Sequence, residues 1–397
     1  MNHSPNLTKL KPYPFERLRG LLGTVTPNPA LKPVNLSIGE PKHPTPELIK
    51  QALINNLDGL ATYPSTLGIP ELRESISRWI KRRFDAQVDA GSQILPILGS
   101  REALFAFAQV VLDGCEPGSL LAYPNPFYQI YEGAAFLGNA TPFCMNIKAE
   151  TGLPDLKSVS PDVLKHVRFM YVCSPNNPTG TVMGMDDWQT LFDLADEYDF
   201  VIGSDECYSE IYLDEANPPI GGLEAASRLG RSDYNNLIVF SSLSKRSNAP
   251  GLRSGYVAGD AEWIAKFLKY RTYHGSAMSV TIQKASIAAW DDEDHVIENR
   301  RLYKEKFDTL YPMLKDVMGI SMPPAGFYFW ANTGRDDAEF VRDLYKEQHV
   351  TLLPGSYLGR EQDGVNPGSQ HVRIALVAPL AECVEAANRI KTYLNGQ

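Results

Sequence analysis

Lys245 stands in Ser242-Leu243-Ser244-Lys245, at the end of an apolar run, and Arg253 follows eight residues later. A lysine amine in a ligand site can form a Schiff base with a carbonyl compound. Serines and an arginine beside it can hold a phosphate, the arginine through a bidentate fork. A lone lysine there would read as a solvated loop residue, but Lys245 has company. Asp205-Glu206-Cys207-Tyr208 follows a second apolar run. A carboxylate at that point can pair with a pyridinium nitrogen and keep the ring electron-accepting, and Tyr208 can donate to a phenolate oxygen. The plainer reading of Asp205 is a turn or cap residue. Ser174-Pro175-Asn176-Asn177-Pro178-Thr179-Gly180 follows a third run. Asn177 can turn its amide toward a ligand oxygen, or the segment is only a turn. Gly99-Ser100-Arg101 joins an apolar run to a helical one. Free N–H groups and the helix dipole there suit a phosphate, which is compatible with Ser100 as a plain N-cap.

The elements that must hold these residues follow from periodicity. Strands are expected at 93–98, 119–123, 167–173, 200–204, 237–243 and 255–258, each a short apolar run. Helices are expected at 70–84, 101–112 and 186–198. Leu72, Ile76, Trp79 and Ile80 form one stripe, and Trp188, Leu191, Phe192, Ala195 and Tyr198 another. Alternating βα units over 90–270 point to an α/β fold with a mostly parallel central sheet covered by helices on both faces. Ligands of such sheets bind at the carboxyl ends of the strands, where the segments above lie. The Pro-rich residues 1–46 and the segment 292–397 depart from that alternation. They are assigned to a smaller α+β domain built from both termini, with 47–291 as the large domain.

Composition narrows the function. The 397 residues are 43% hydrophobic and 21% charged, ordinary globular values. A net charge of −9 disfavours generic binding to nucleic acid or to an anionic membrane. Lys81, Arg82 and Arg83 read as a solvated helix end rather than a nucleic-acid patch. The five cysteines form no C-x-x-C pair and no H-E-x-x-H occurs, so neither a disulfide framework nor a metal is expected. No signal peptide and no run of 18 apolar residues is found, so a cytoplasmic protein is expected.

Taken together, S-x-S-K with arginine at plus eight, D-x-x-Y and N-P-T-G resemble the fold-type-I, pyridoxal-phosphate-dependent aminotransferases of the aspartate aminotransferase superfamily. The separations 177 to 205, 245 to 253 and 245 to 373 are similar to the family's. The resemblance implies pyridoxal 5′-phosphate as cofactor. It implies Lys245 as the Schiff-base lysine, Asp205 at the pyridine nitrogen, and Asn177 and Tyr208 as donors to the ring oxygen. Ser242, Arg253 and the Ser100-Arg101 backbone would form the phosphate cup. Phe127, in Pro124-Asn125-Pro126-Phe127-Tyr128, would stack on the ring. Tyr63, in Tyr63-Pro64-Ser65-Thr66, would reach the phosphate of a neighbouring subunit in a homodimer with composite sites. Gly39, in Ser37-Ile38-Gly39-Glu40-Pro41, would approach the substrate, and Arg373, in His371-Val372-Arg373-Ile374-Ala375-Leu376, would clamp its α-carboxylate. Ser254, after Arg253, departs from the aliphatic residue usual there.

Two segments, Pro124–Gly133 and Lys245–Gly255, resemble the succinyldiaminopimelate aminotransferases of lysine (diaminopimelate) biosynthesis. That implies exchange of an amino group between glutamate/2-oxoglutarate and N-succinyl-2-amino-6-oxopimelate. Both are acidic, so a second cation is expected, with Arg101 and Arg271 as candidates. The alternatives are an aspartate, alanine or aromatic aminotransferase, or a C–S lyase on the same cofactor. A DNA-binding regulator lacks a basic module here. A dinucleotide dehydrogenase lacks G-x-G-x-x-G.

Overall fold

The computed structural model describes residues 5–396; residues 1–4 of the opening segment and Gln397 lie outside it. Seven strands form the main sheet: β1 (Ile94–Ile97), β2 (Leu120–Asn125), β3 (Thr141–Asn146), β4 (Val167–Cys173), β5 (Val201–Asp205), β6 (Leu237–Ser242) and β7 (Gly255–Gly259). Their order is β1-β7-β6-β5-β4-β2-β3. β7 runs antiparallel to β1 and β6, and the remaining pairs are parallel.

The strands are apolar because both faces are covered. Alternate residues serve the two sides. Ile202, Val239, Tyr256 and Ala258 join a core with Trp79, Trp188 and Trp290 under the helices Pro70–Phe84, Met185–Tyr198 and Val280–Asp291. Val201, Ile238, Phe240 and Val257 face the other way, onto Phe107 of the helix Ser100–Leu112. β3 was not anticipated from sequence. It is the sheet's edge, where Pro142 is tolerated and one-sided pairing removes the need for a continuous apolar run.

A second core gathers residues from both chain ends, with Leu18, Val34 and Leu36 among Phe307, Leu310, Phe329, Phe340, Ile374 and Ile390. Its sheet has β8 (Tyr328–Asn332), β9 (Leu353–Pro354) and β10 (His371–Ala375) in the antiparallel order β9-β10-β8. The two-residue strand Val34–Asn35 pairs parallel with Val350–Thr351 and ties the opening segment in. The helix Asp294–Leu314 links the second core to the loop after β5. Its later turns supply Phe307, Leu310 and Leu314 to the second core, while Arg300 near its start pairs with Glu210 and Glu215 beyond β5.

Of the basic run at 81–83, Lys81 and Arg82 are exposed at the helix end as expected, and Arg83 departs from that reading. Arg83 is largely buried, pairs with Glu210 at 2.7 Å and donates to the Ser209 and Pro219 carbonyls. Its role is to anchor the loop after β5. No helix among the described residues is long and apolar enough to cross a membrane.

Candidate active site

A cleft of about 620 Å³ opens where β4, β5 and β6 end, within the size range of small-molecule sites. Cys173, Asp205 and Ser242, the last residues of those strands, line it. Gly39, Tyr328, Leu358 and Arg373 from the second core's side close over it, with Tyr13 and Phe15 from the start of the helix Pro14–Leu22.

Lys245 sits on the one-turn helix Leu243–Arg246 that follows β6. Ser242 caps that turn, its Oγ accepting from the Ser244 N–H at 3.1 Å. The Lys245 amine donates to the Gly39 carbonyl at 2.7 Å and lies over the Phe327 ring at 5.5 Å. Burial holds its pKa down to about 8, and Arg373 and Arg101 push the same way against Cys207 and Glu40. The amine is therefore a usable base close to neutral pH.

Asp205 is 5% exposed. Its Oδ2 accepts from Tyr131 OH at 2.7 Å and its Oδ1 from the Cys207 N–H at 3.3 Å. Burial raises the carboxyl pKa against those two bonds and the charge of Lys245. Tyr208 OH and Tyr328 OH share a hydrogen bond of 2.8 Å, and burial pushes the Tyr208 hydroxyl well above its ordinary pKa. It stays protonated and available as a donor.

At another part of the cleft, the helix Ser100–Leu112 begins on Gly99, which offers no side-chain cap. Its first N–H groups are left for a ligand. Gly99 has φ +83°, and a Cβ there would collide with the Arg253 guanidinium, so only glycine lets that cation in. Arg253 is held by the Pro250 and Leu98 carbonyls at 2.9 and 3.2 Å. Ser100, Ser242, Ser244 and Arg253 all face the same cleft.

Arg373 lies on β10, the central strand of its sheet, and is 4% exposed. Its two Nη atoms donate to Asn177 Oδ1 and the Ser37 carbonyl, both at 2.8 Å, while its buried Nε has no partner. A guanidinium on the cleft wall suits a carboxylate ligand. The Tyr328 ring lies 4.4 Å from that guanidinium. A Cβ at Gly39 would drive into the Tyr328 hydroxyl, so glycine is what brings this loop onto the site.

The same architecture recurs in known proteins. The family model for class I and II aminotransferases matches residues 32–390. The chain belongs to this family. An aminotransferase from Neisseria meningitidis is 51% identical, with a TM-score of 0.96 over 98% of this chain and 100% of that one. An LL-diaminopimelate aminotransferase of Aquifex aeolicus is 32% identical over 365 residues, 90% of each protein. A probable N-succinyldiaminopimelate aminotransferase from Thermus thermophilus is 27% identical, with a TM-score of 0.85 over 96% of this chain and 99% of that one.

This aminotransferase uses pyridoxal 5′-phosphate. The residues of the cleft fit that group. An amine, a buried carboxylate that lacks a paired cation's full compensation, and an uncapped helix start with an adjacent arginine all line one cavity.

At two positions the structure differs from the sequence reading. Phe127 does not line the aminotransferase cleft. It is 1% exposed, its N–H donates to the Leu358 carbonyl, and its ring lies 4.6 Å from Tyr123 and 5.2 Å from the Arg360 guanidinium. The aromatic on the wall is its neighbour Tyr128, whose OH accepts from Arg101 Nε at 2.6 Å. Arg271 is also outside the cleft, fully buried and paired with Glu102 at 3.1 Å and the Ser276 carbonyl at 3.0 Å. Sequence reasoning missed Tyr131 and Tyr328. Tyr131 lay inside a segment already singled out, but its bond to Asp205 spans 74 residues.

Proposed function

We propose that this aminotransferase exchanges an amino group between glutamate/2-oxoglutarate and N-succinyl-2-amino-6-oxopimelate. The observation that carries this reading is a further guanidinium, Arg101, on the cleft that Arg373 and the phosphate-side Arg253 already line. Two separated cations suit substrates with two separated carboxylates. In this reading Lys245 holds the cofactor, Asp205 its ring nitrogen, Asn177 and Tyr208 its ring oxygen. Ser100, Ser242 and Arg253 hold its phosphate. When bound, the cofactor supplies a carbonyl that condenses with amines and a ring that accepts electrons.

The chain's own residues do the rest. Arg373 grips the α-carboxylate and orients the Cα–H bond. The Lys245 amine, a free base above about pH 8, takes the Cα proton at Nζ and returns it. Tyr208 and Asn177 donate without ionising. Tyr328, packed between Arg373 and Tyr208, keeps water from that wall.

The unsuccinylated skeleton is a second reading, favoured by the naming of the Aquifex relative. An absorbance titration of the cofactor-bound enzyme separates them. N-succinyl-LL-diaminopimelate and glutamate should convert the cofactor at micromolar to millimolar levels, and LL-diaminopimelate should be at least about tenfold weaker. Arg101→Ala should raise KM for 2-oxoglutarate roughly 10–100-fold, the scale of lost charge-assisted hydrogen bonds, and leave pyruvate nearly unchanged. Equal effects on both acceptors would remove Arg101 from the distal carboxylate.

The same reading includes a homodimer. Tyr63 is fully exposed, with Leu57 and Leu60 exposed beside it, and it does not line its own cleft. These side chains suit a partner's surface. Sedimentation should return twice the chain mass; an active monomer would take Tyr63 out of the site.

A further inference from the structure

Behind Lys245 lies a buried polar cluster that the chemistry above does not use. Asn299, 1% exposed on the helix Asp294–Leu314, donates from Nδ2 to the Lys245 carbonyl at 3.1 Å and to the Arg246 carbonyl at 3.4 Å. Its Oδ1 accepts from Asn248 Nδ2 at 2.9 Å and lies 3.0 Å from His43 Nδ1. The other ring nitrogen, His43 Nε2, lies 2.7 Å from Lys306 Nζ. Lys306 is 3% exposed and also donates to the Val377 carbonyl.

Donor and acceptor rules order this cluster in one way. Burial lowers the Lys306 pKa to about 8, so below that pH it is an ammonium with only donors and His43 Nε2 must accept. The ring proton then sits on Nδ1 and is donated to Asn299 Oδ1. With two donors on Oδ1, the Asn299 amide must present its NH₂ to the two carbonyls. The flipped amide would set NH₂ against the His43 N–H and oxygen against two carbonyls, which turning the Asn248 amide would not repair. Inside a low-dielectric core that mismatch is costly, so one orientation holds.

The cluster joins two places that meet at the amine. Lys245's main chain is held directly by Asn299. Gly39, whose carbonyl receives the Lys245 amine, lies four residues before His43 on the same segment. The main chain that carries the Lys245 amine and the segment that carries Gly39 thus meet at one amide. We propose that Asn299, oriented by the Lys306–His43 pair, is a positioning residue for Lys245 that sets where its amine stands relative to Gly39. It touches neither substrate nor cofactor. The inference holds for any amino acid the enzyme takes, so its failure is separate from failure of the substrate reading.

The test uses the apoprotein and the loaded enzyme. Brief acetic anhydride labelling across pH, with the Lys245 peptide quantified by mass, reads the amine directly without cofactor. In Asn299→Ala its titration midpoint should move up by about half a pH unit or more, as the amine leaves its desolvated position. Arg373, Arg101, Cys207 and Glu40, the groups that act on that amine, are unaltered in this variant, so the movement reports position. In the loaded enzyme kcat should fall roughly 10–100-fold, the cost of a small misplacement, with KM nearly constant.

Two His43 variants decide the matter even if Asn299→Ala does not fold. His43→Asn keeps an amide N–H near the Nδ1 position and should retain the original midpoint. His43→Gln keeps only the far nitrogen and should shift it as Asn299→Ala does. Equal midpoints in the two His43 variants, or an unmoved midpoint in a folded Asn299→Ala, would overturn the proposal.

Discussion

Lys245→Ala should lose transamination by about 10⁴-fold or more, the combined scale of a lost general base and a lost covalent attachment. The size follows from the surroundings of the amine. Among the described residues that line the cleft, Lys245 is the one side chain that burial turns into a base near neutral pH, at about 8. Its neighbours cannot replace it. Burial pushes the Tyr208 hydroxyl and the Cys207 thiol well above their ordinary values, so both remain protonated. Arg373 and Arg253 offer guanidinium donors and no acceptor. Asp205 is occupied by Tyr131 and the Cys207 N–H. Lys245→Arg should be equally inactive, because it restores charge but no base. Single-turnover kinetics with a saturating amino donor measures the loss. The visible absorbance of lysine-linked cofactor should also be missing from Lys245→Ala. Its persistence there would place the attachment on another lysine and sink the assignment.

How far the sequence could carry such claims depended on the range of the forces involved. Strands β4, β5 and β6 and the helix Pro70–Phe84 were legible because their apolar patterns are local. The strand-end position of Asp205, Ser242 and Lys245 followed from them. Phe127 and Tyr128 are adjacent and both aromatic. Which one reaches the cleft was decided by a backbone bond to Leu358, 231 residues away, and no local pattern encodes it. Arg271 looked free in sequence, and Glu102, on a different helix, removed it. One signal was present but unread. The buried stripe of Asp294–Leu314 includes Val296, Asn299, Tyr303, Lys306, Phe307 and Leu310. An asparagine and a lysine on the apolar face of a helix need buried partners, and that need leads straight to the back of Lys245.

Asp205→Asn isolates the other large effect, because it removes a charge and little else. Asn is the same shape, its oxygen can still accept from the Cys207 N–H, and its NH₂ can donate to the Tyr131 oxygen, which reverses the direction of that bond and keeps the contact. The apoprotein should therefore keep its fold. Its stability should not fall, for a reason that can be given a sign. The folded Asp205 binds its proton more tightly than an unfolded aspartate, because burial raises its pKa. Its contribution thus favours the fold at low pH and is lost as pH rises through the raised value. Asn never ionises and escapes that loss. Catalysis should respond in the opposite direction. The carboxylate ends β5 directly across from Cys173, buried on a fully covered strand, where a cationic ring nitrogen would be its natural counter-charge. Removing one preorganised charge from such a site costs roughly 10²–10³-fold in kcat. KM should change little, since the α-carboxylate is held at Arg373. Melting curves of the apoprotein with kcat and KM of the loaded enzyme check both halves. A variant with undiminished kcat would show that the charge at position 205 takes no part, and a destabilised one would show that the charge serves the fold instead.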